Sequence, residues 1–152
     1  MKKIGTLILL IGMMCLFLSA DSFAQRGIKW KGSSGWGPRD KYSRMYDTTT
    51  VKTFTAEVIS VDTITPMKGM SYGVHLMVKT DQETLSVHLG PAWYIENQDT
   101  KIEPKDTVEI KGSRISFQGK PAVIAATIRK GEELIALRDA KGFPVWSGWR
   151  RR

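Results

Sequence analysis

Two neighbouring stretches, residues 72–80 and 83–89, alternate apolar and polar side chains so regularly that one pairing alone buries the whole apolar set. In the first, Tyr72, Val74, Leu76 and Val78 alternate with Gly73, His75, Met77 and Lys79; in the second, Leu85, Val87 and Leu89 alternate with Thr84, Ser86 and His88. A period of two marks a half-buried strand, and Asp81-Gln82 supplies the turn between them. Pairing Thr80 with Glu83 sets Val78 opposite Leu85, Leu76 opposite Val87 and Val74 opposite Leu89. A slip of one residue would send half of these side chains to the other face. The same register sets His75 directly opposite His88 on the polar face, where facing Cβ atoms are about 4.5–5.5 Å apart.

The remaining elements follow from composition and breakers. Residues 51–65 are rich in Val, Ile, Thr and Phe. Phe54, Ala56 and Val58 share one parity, and Ile59 and Val61 then switch, which predicts a bulge or bend inside one long strand. Pro66, Gly69 and Gly73 break residues 65–73 into a loop. Gly90-Pro91 ends the hairpin, and residues 91–97 fit a short helix with Pro in its first turn. Such a helix is expected to plug the barrel bottom, although Trp93 and Tyr94 could line the histidine face instead. A strand over 107–117 changes parity after Gly112, so that Val108 and Ile110 share one face and Ile115 and Phe117 the other. Residues 118–121 turn the chain into a fifth strand, 122–129. Residues 132–139 form a short segment expected to pack Leu134 and Leu137.

A long bent strand, a hairpin, a short helix and a second hairpin predict a mainly all-β fold. The order is that of the five-stranded OB-fold Greek-key barrel, with its helix between strands 3 and 4. The run Asp106-Thr-Val-Glu-Ile-Lys-Gly-Ser-Arg-Ile-Ser-Phe-Gln-Gly-Lys-Pro-Ala-Val-Ile-Ala-Ala resembles the strand-four to strand-five hairpin of OB domains. Over about residues 51–130 the chain resembles the small exported bacterial OB-fold proteins, the periplasmic bacterial OB-fold group and its relatives labelled OB-fold or DNA-binding. That resemblance implies the fold and a binding role, and it carries no catalytic residue set. The expected organisation is a signal peptide (1–24), a basic Gly/Trp-rich arm (25–49), the barrel (50–131) and a C-terminal extension with a Trp/Arg tail (132–152).

His75 and His88 are the only two histidines, and the outer face of strands two and three is the usual OB ligand surface. Met77, Lys79 and Ser86 share that face. Three readings stand for the pair. Two neutral imidazoles can hold copper or zinc, with Met77, or Met67 and Met70 from the preceding loop, as soft thioether donors. The metal set drawn from these is His75, His88 and Met70. This has a weak resemblance to periplasmic copper chaperones, whose ligand spacing is not reproduced. The other two readings are an exposed cross-strand pair hydrogen-bonded to Ser86 or Thr84, and a pH-sensitive contact. No cofactor is expected apart from such an ion.

Four of the five tryptophans lie outside the barrel sequence: Trp30 and Trp36 in the arm, Trp146 and Trp149 in the tail. With Arg150 they form either a binding surface, since Trp and Arg are enriched at hot spots, or a cap over the barrel. The charge is equally uneven. Residues 25–46 carry six basic residues against Asp40, and Arg150, Arg151 and Arg152 add three more. The centre, 47–149, holds 12 basic and 13 acidic residues. A nucleic-acid domain should carry its basic residues on its binding face, so nucleic acid is not the expected partner. An envelope protein or an anionic envelope ligand is.

Export is read from the first residues. Lys2 and Lys3 precede an apolar run over residues 4–18, and Ser22 and Ala24 provide the small residues for cleavage after Ala24. The run is shorter than the roughly 20 residues that span a bilayer. The expected location is the periplasm or the medium, with no transmembrane anchor after cleavage; a retained anchor is the rival. Cys15, the only cysteine, would leave with the signal. Neither histidine lies in a nucleophile-bearing motif, and no phosphate loop or zinc-hydrolase motif is present. The expected function is a non-enzymatic envelope binding module using the strand 2–3 face and the Trp/Arg tails. A copper-type metal carrier and an oligonucleotide- or polysaccharide-binding protein are the alternatives.

Overall fold

The structure, a computed structural model, describes residues 34–147. The expected signal segment with its cleavage point, Trp30 of the arm, and Trp149 with Arg150, Arg151 and Arg152 lie outside the described residues. The described strands are β1 (Val51–Ile64), β2 (Gly73–Lys79), β3 (Thr84–Pro91), β4 (Thr107–Phe117), β5 (Lys120–Lys130) and β6 (Glu133–Ala136). One short helix, α1 (Ala92–Ile95), joins β3 to β4. The sheet order is β3-β2-β1-β4-β5-β6, and a further pairing of β3 with β5 closes the first five strands into a barrel. That closing pair is parallel and every other neighbour is antiparallel. This is the expected OB-fold. β6, inside the short segment 132–139, extends it as a sixth strand paired with β5.

β1 serves two partners because it bends. Its first half pairs with β4, its second half with β2, and the register shifts between Val58 and Ser60, at the expected parity switch. A bulge inserts the extra residue that lets one strand turn a barrel corner. Ala56 and Val58 face the core before it, while Ile59 and Val61 are solvent-exposed after it. β4 has a matching shift between Lys111 and Gly112. Pro91 is the N-cap of α1, whose Ala92 and Tyr94 are buried. The Tyr94 hydroxyl donates to Ala136 O at 2.9 Å, so the helix closes the barrel as a plug.

One packing expectation fails. Leu137 is fully buried, but Leu134 is 51% exposed. The two are three residues apart, and a strand sends such residues to opposite faces. Ile135 and Leu137 take the inward places, and Leu134 faces water. Among the described residues no helix is long and apolar enough to cross a membrane.

Leu76, Val78, Val87, Ile110 and Ile128 are fully enclosed at the barrel centre. Removing one of these side chains forfeits its transfer free energy and leaves a cavity. Leu76→Ala is expected to lower unfolding free energy by about 2–5 kcal/mol, read as a lower urea midpoint with an unchanged slope.

Candidate functional site: the outer face of β2 and β3

The ladder pairs Leu76 with Val87 and Val78 with Leu85, as the apolar pattern requires, and sets His75 opposite His88. The register then shifts, so that Val74 pairs with Gly90 and not with Leu89. Because Leu76, Val78, Leu85 and Val87 point into the barrel, the outer face carries His75, Met77 and Lys79 from β2, and Thr84, Ser86 and His88 from β3.

Half of this face is not open. Trp36, Tyr42 and Trp146 lie across it and are 0%, 1% and 1% exposed. Two glycines of outward parity make the fit possible. A Cβ on Gly73 would lie 2.6 Å from both Gly90 O and the Trp36 ring, and one on Gly90 would lie 2.9 Å from the Trp146 ring. The rings meet edge to face, Trp36 with Tyr42 at 5.0 Å and Trp36 with Trp146 at 6.4 Å between centroids. Both indole N–H groups are satisfied. Trp36 Nε1 donates to Ser71 O at 2.9 Å, and Trp146 Nε1 donates to Trp36 O at 2.8 Å. Buried indoles need such partners.

Arg138 locks this layer. It is 3% exposed, and its guanidinium lies 6.0, 5.6 and 5.3 Å from the ring centroids of Tyr42, Tyr46 and Trp146. Nη1 donates to Gly142 O at 2.9 Å, while Nε and Nη2 have no hydrogen-bond partner. Burial lowers its pKa, against the pull of the two tyrosines. A cation desolvated among ring faces gains from their quadrupoles.

The two histidines differ sharply. His88 is fully buried beneath this layer: its ring stacks on Tyr42 at 5.9 Å and meets Phe117 edge-on at 4.9 Å. Of the two imidazoles expected on the ligand face, His88 is covered by Tyr42 and closed to solvent, so only His75 lines the open half. His75 is half-buried, and the two rings lie 6.2 Å apart at 74°. Each Nδ1 has an oxygen partner, Tyr42 Oη at 2.9 Å for His88 and Ser86 Oγ at 2.8 Å for His75. Burial, with the neighbouring His75, pushes the His88 pKa down to about 4. Burial also lowers that of His75, opposed by the Asp62 carboxylate. Tyr42 is pushed well above its ordinary value by burial.

The uncovered half is a shallow cavity of about 370 Å³ lined by His75, Met77, Thr84, Ser86, Phe117 and Lys120, among others. Of the expected site residues, His75, Met77 and Ser86 line this cavity together, and Lys79 is exposed beside them on the same face. Met70 does not join them. It packs against Gly35 and, with Met67, borders a separate cavity beside Tyr42. Trp36 and Trp146 are interior, which matches the capping reading of the tryptophans and not the binding one. Tyr42, Phe117 and Arg138 were not anticipated at the site. Gly73 and Gly90 were the readable signal for the cover, since each leaves a gap on an otherwise side-chain-bearing face.

Gly73→Ala is expected to displace Trp36 and lower stability by about 1–3 kcal/mol, read by urea unfolding with loss of the buried-tryptophan fluorescence. The pH dependence has a definite sign. His88 binds a proton more weakly folded than unfolded, so the unfolded chain holds more protons between about pH 4 and 6.5. Stability is therefore full above about pH 6.5 and falls on acidification toward pH 4, by on the order of 3 kcal/mol. His88→Phe should flatten that slope in melts taken across the same range.

A search of curated proteins returns no match. Among solved structures, a chain of a replication protein A heterotrimer bound to single-stranded DNA is 18% identical, with a TM-score of 0.41 over 55% of this chain and 59% of that one. This chain thus spans 59% of the length of that relative. The OB architecture expected from the exported bacterial group is present, but the matching family is a different one. The model of the MamS/MamX magnetosome protein family matches residues 50–135, from the start of β1 to β6 and more than half of the sequence, and the chain belongs to that family.

Proposed function

We propose that this protein is an exported, non-catalytic binding module serving a magnetosome, and that it takes its ligand or protein partner on the uncovered half of the β2–β3 outer face. The observation that carries the reading is the division of that face. The chain's own aromatic layer fills one half, and a cavity of about 370 Å³ with a polar and basic rim remains on the other. Binding sites are concave and combine an apolar floor with a few placed polar groups. Met77 and Phe117 give the floor; His75, Thr84, Ser86 and Lys120 give the polar set. The magnetosome setting comes from the family's name, and export from the signal-like first residues.

A non-catalytic role is supported by the surroundings of Ser86. Its hydroxyl is 2.8 Å from His75 Nδ1, the spacing of a nucleophile and its base. Yet β3 is paired at Ser86 with both β2 and β5, so its amides belong to ladders and offer no oxyanion hole. Asp62, which stands opposite His75 on β1, accepts from Ser60 at 2.8 Å. The covered half argues against nucleic acid, because Trp36, Tyr42 and Trp146 cannot stack on bases while enclosed.

The test is site-specific photo-crosslinking in the producing cell, with the crosslinker at Lys79 or Lys120 and, as control, at Lys101. Adducts from the first two positions, absent from the third and lost when Ser86→Trp fills the cavity, are the expected result. Equal labelling from all three positions would remove the proposed face. Export is checked separately by the mass of the purified chain, which should begin at Gln25.

A further inference from the structure

We propose that His75 and His88 bind one copper(I) ion through their Nε2 atoms, with the Met77 thioether as third donor. This rests on the reading of the uncovered face as a ligand surface and names one ligand at its border with the cover, between His75 and Met77 on the open side and His88 beneath Tyr42. Three observations lead there.

The first is how the rings are held. Both Nδ1 atoms are engaged, by Tyr42 Oη and by Ser86 Oγ, and neither Nε2 has a hydrogen bond among the described residues. Metal-bound histidines have this arrangement: the non-ligating N–H donates to a fixed oxygen, which sets the tautomer and aims the other nitrogen at the metal.

The second is that His88 Nε2 is enclosed without a partner. If it carried the proton, a buried N–H would be orphaned, at a cost of about 1–3 kcal/mol. With the proton on Nδ1, His88 donates to Tyr42 and leaves a bare lone pair at Nε2, the form a metal requires.

The third is spacing and softness. Metal–nitrogen bonds of about 2.0–2.1 Å place two rings on one ion with centroids roughly 4.5–6.5 Å apart, and these stand 6.2 Å apart. Met77 lines the same cavity as His75. The soft donor on that cavity wall is the Met77 thioether, and thioethers select copper(I) over zinc. Met70, the methionine expected in this role, packs against Gly35 instead.

The experiment uses the mature chain under anaerobic conditions, titrated into copper(I) held by bicinchoninate, with zinc(II) as a second arm. The wild type is expected to withdraw one equivalent of copper(I) and to bind zinc(II) at least tenfold more weakly. His75→Ala should lower copper affinity at least a hundredfold and Met77→Leu about tenfold. Tyr42→Phe, which frees the His88 ring but keeps the stacking, should cost about 10–100-fold. Because His88→Ala could unfold the cover, the direct readout is ¹⁵N NMR of the wild type, where copper must shift both Nε2 resonances more than either Nδ1. Copper left with bicinchoninate, an unaffected His75→Ala variant, or shifts confined to Nδ1 would each overturn the proposal. Crosslinking done on metal-free protein separates the two readings: adducts without copper binding sink this inference alone, and copper binding without adducts sinks the partner reading alone.

Discussion

The pairs Leu76–Val87 and Val78–Leu85 point into the barrel, and their burial decides what the other side of the same two strands can carry. With a side-chain period of two, enclosing those four residues obliges His75, Met77, Ser86 and His88 to share the outside. The outer face then has two fates on one ladder. Toward the Gly73–Gly90 end it has no side chains to hold off another layer, and two indoles descend onto it. Toward the β-turn it keeps its polar side chains and stays open.

The covering layer is held by unlike forces. Each buried indole removes a large apolar area from water, worth on the order of 4 kcal/mol by area. Arg138 works differently. It sits among Tyr42, Tyr46 and Trp146 with two guanidinium nitrogens, Nε and Nη2, lacking hydrogen-bond acceptors, so its net contribution to stability is small or unfavourable. Its effect is to fix geometry. It bridges residues 42–46 and 142–146, on opposite sides of the barrel sequence, and so ties both flanks to one face.

Patterns governed by burial were legible in the sequence. The β2–β3 register at its turn end, the β1 bulge and the plug helix follow from apolar period and breakers, which act over a few residues, whereas the Val74 end of the ladder slips to Gly90 and the barrel closure was legible only through the likeness to OB domains. The aromatic cover was not legible in the same way. Trp36, Tyr42 and Trp146 lie in stretches with no period, and their destination depends on glycines 37 to 56 residues away. Tyr42 was visible as an aromatic in a basic arm, but nothing local announces a hydroxyl that meets His88 across 46 residues. The pairing of His75 with His88 could therefore be read, while the burial of one of them could not.

The matched family span, residues 50–135, contains the barrel and β6 up to Ile135, whereas Trp36, Tyr42, Arg138 and Trp146 all fall outside it. The barrel supplies the glycine-flanked face and the flanks supply what covers it. The cover and the Leu76–Val87 pair lie on opposite sides of the sheet and belong to one continuous hydrophobic cluster. His88 is where the two meet: its backbone belongs to the ladder and its side chain to the cover. The packing of Tyr42 thus sets the environment of the His88 ring, which no change in the ladder alone can open.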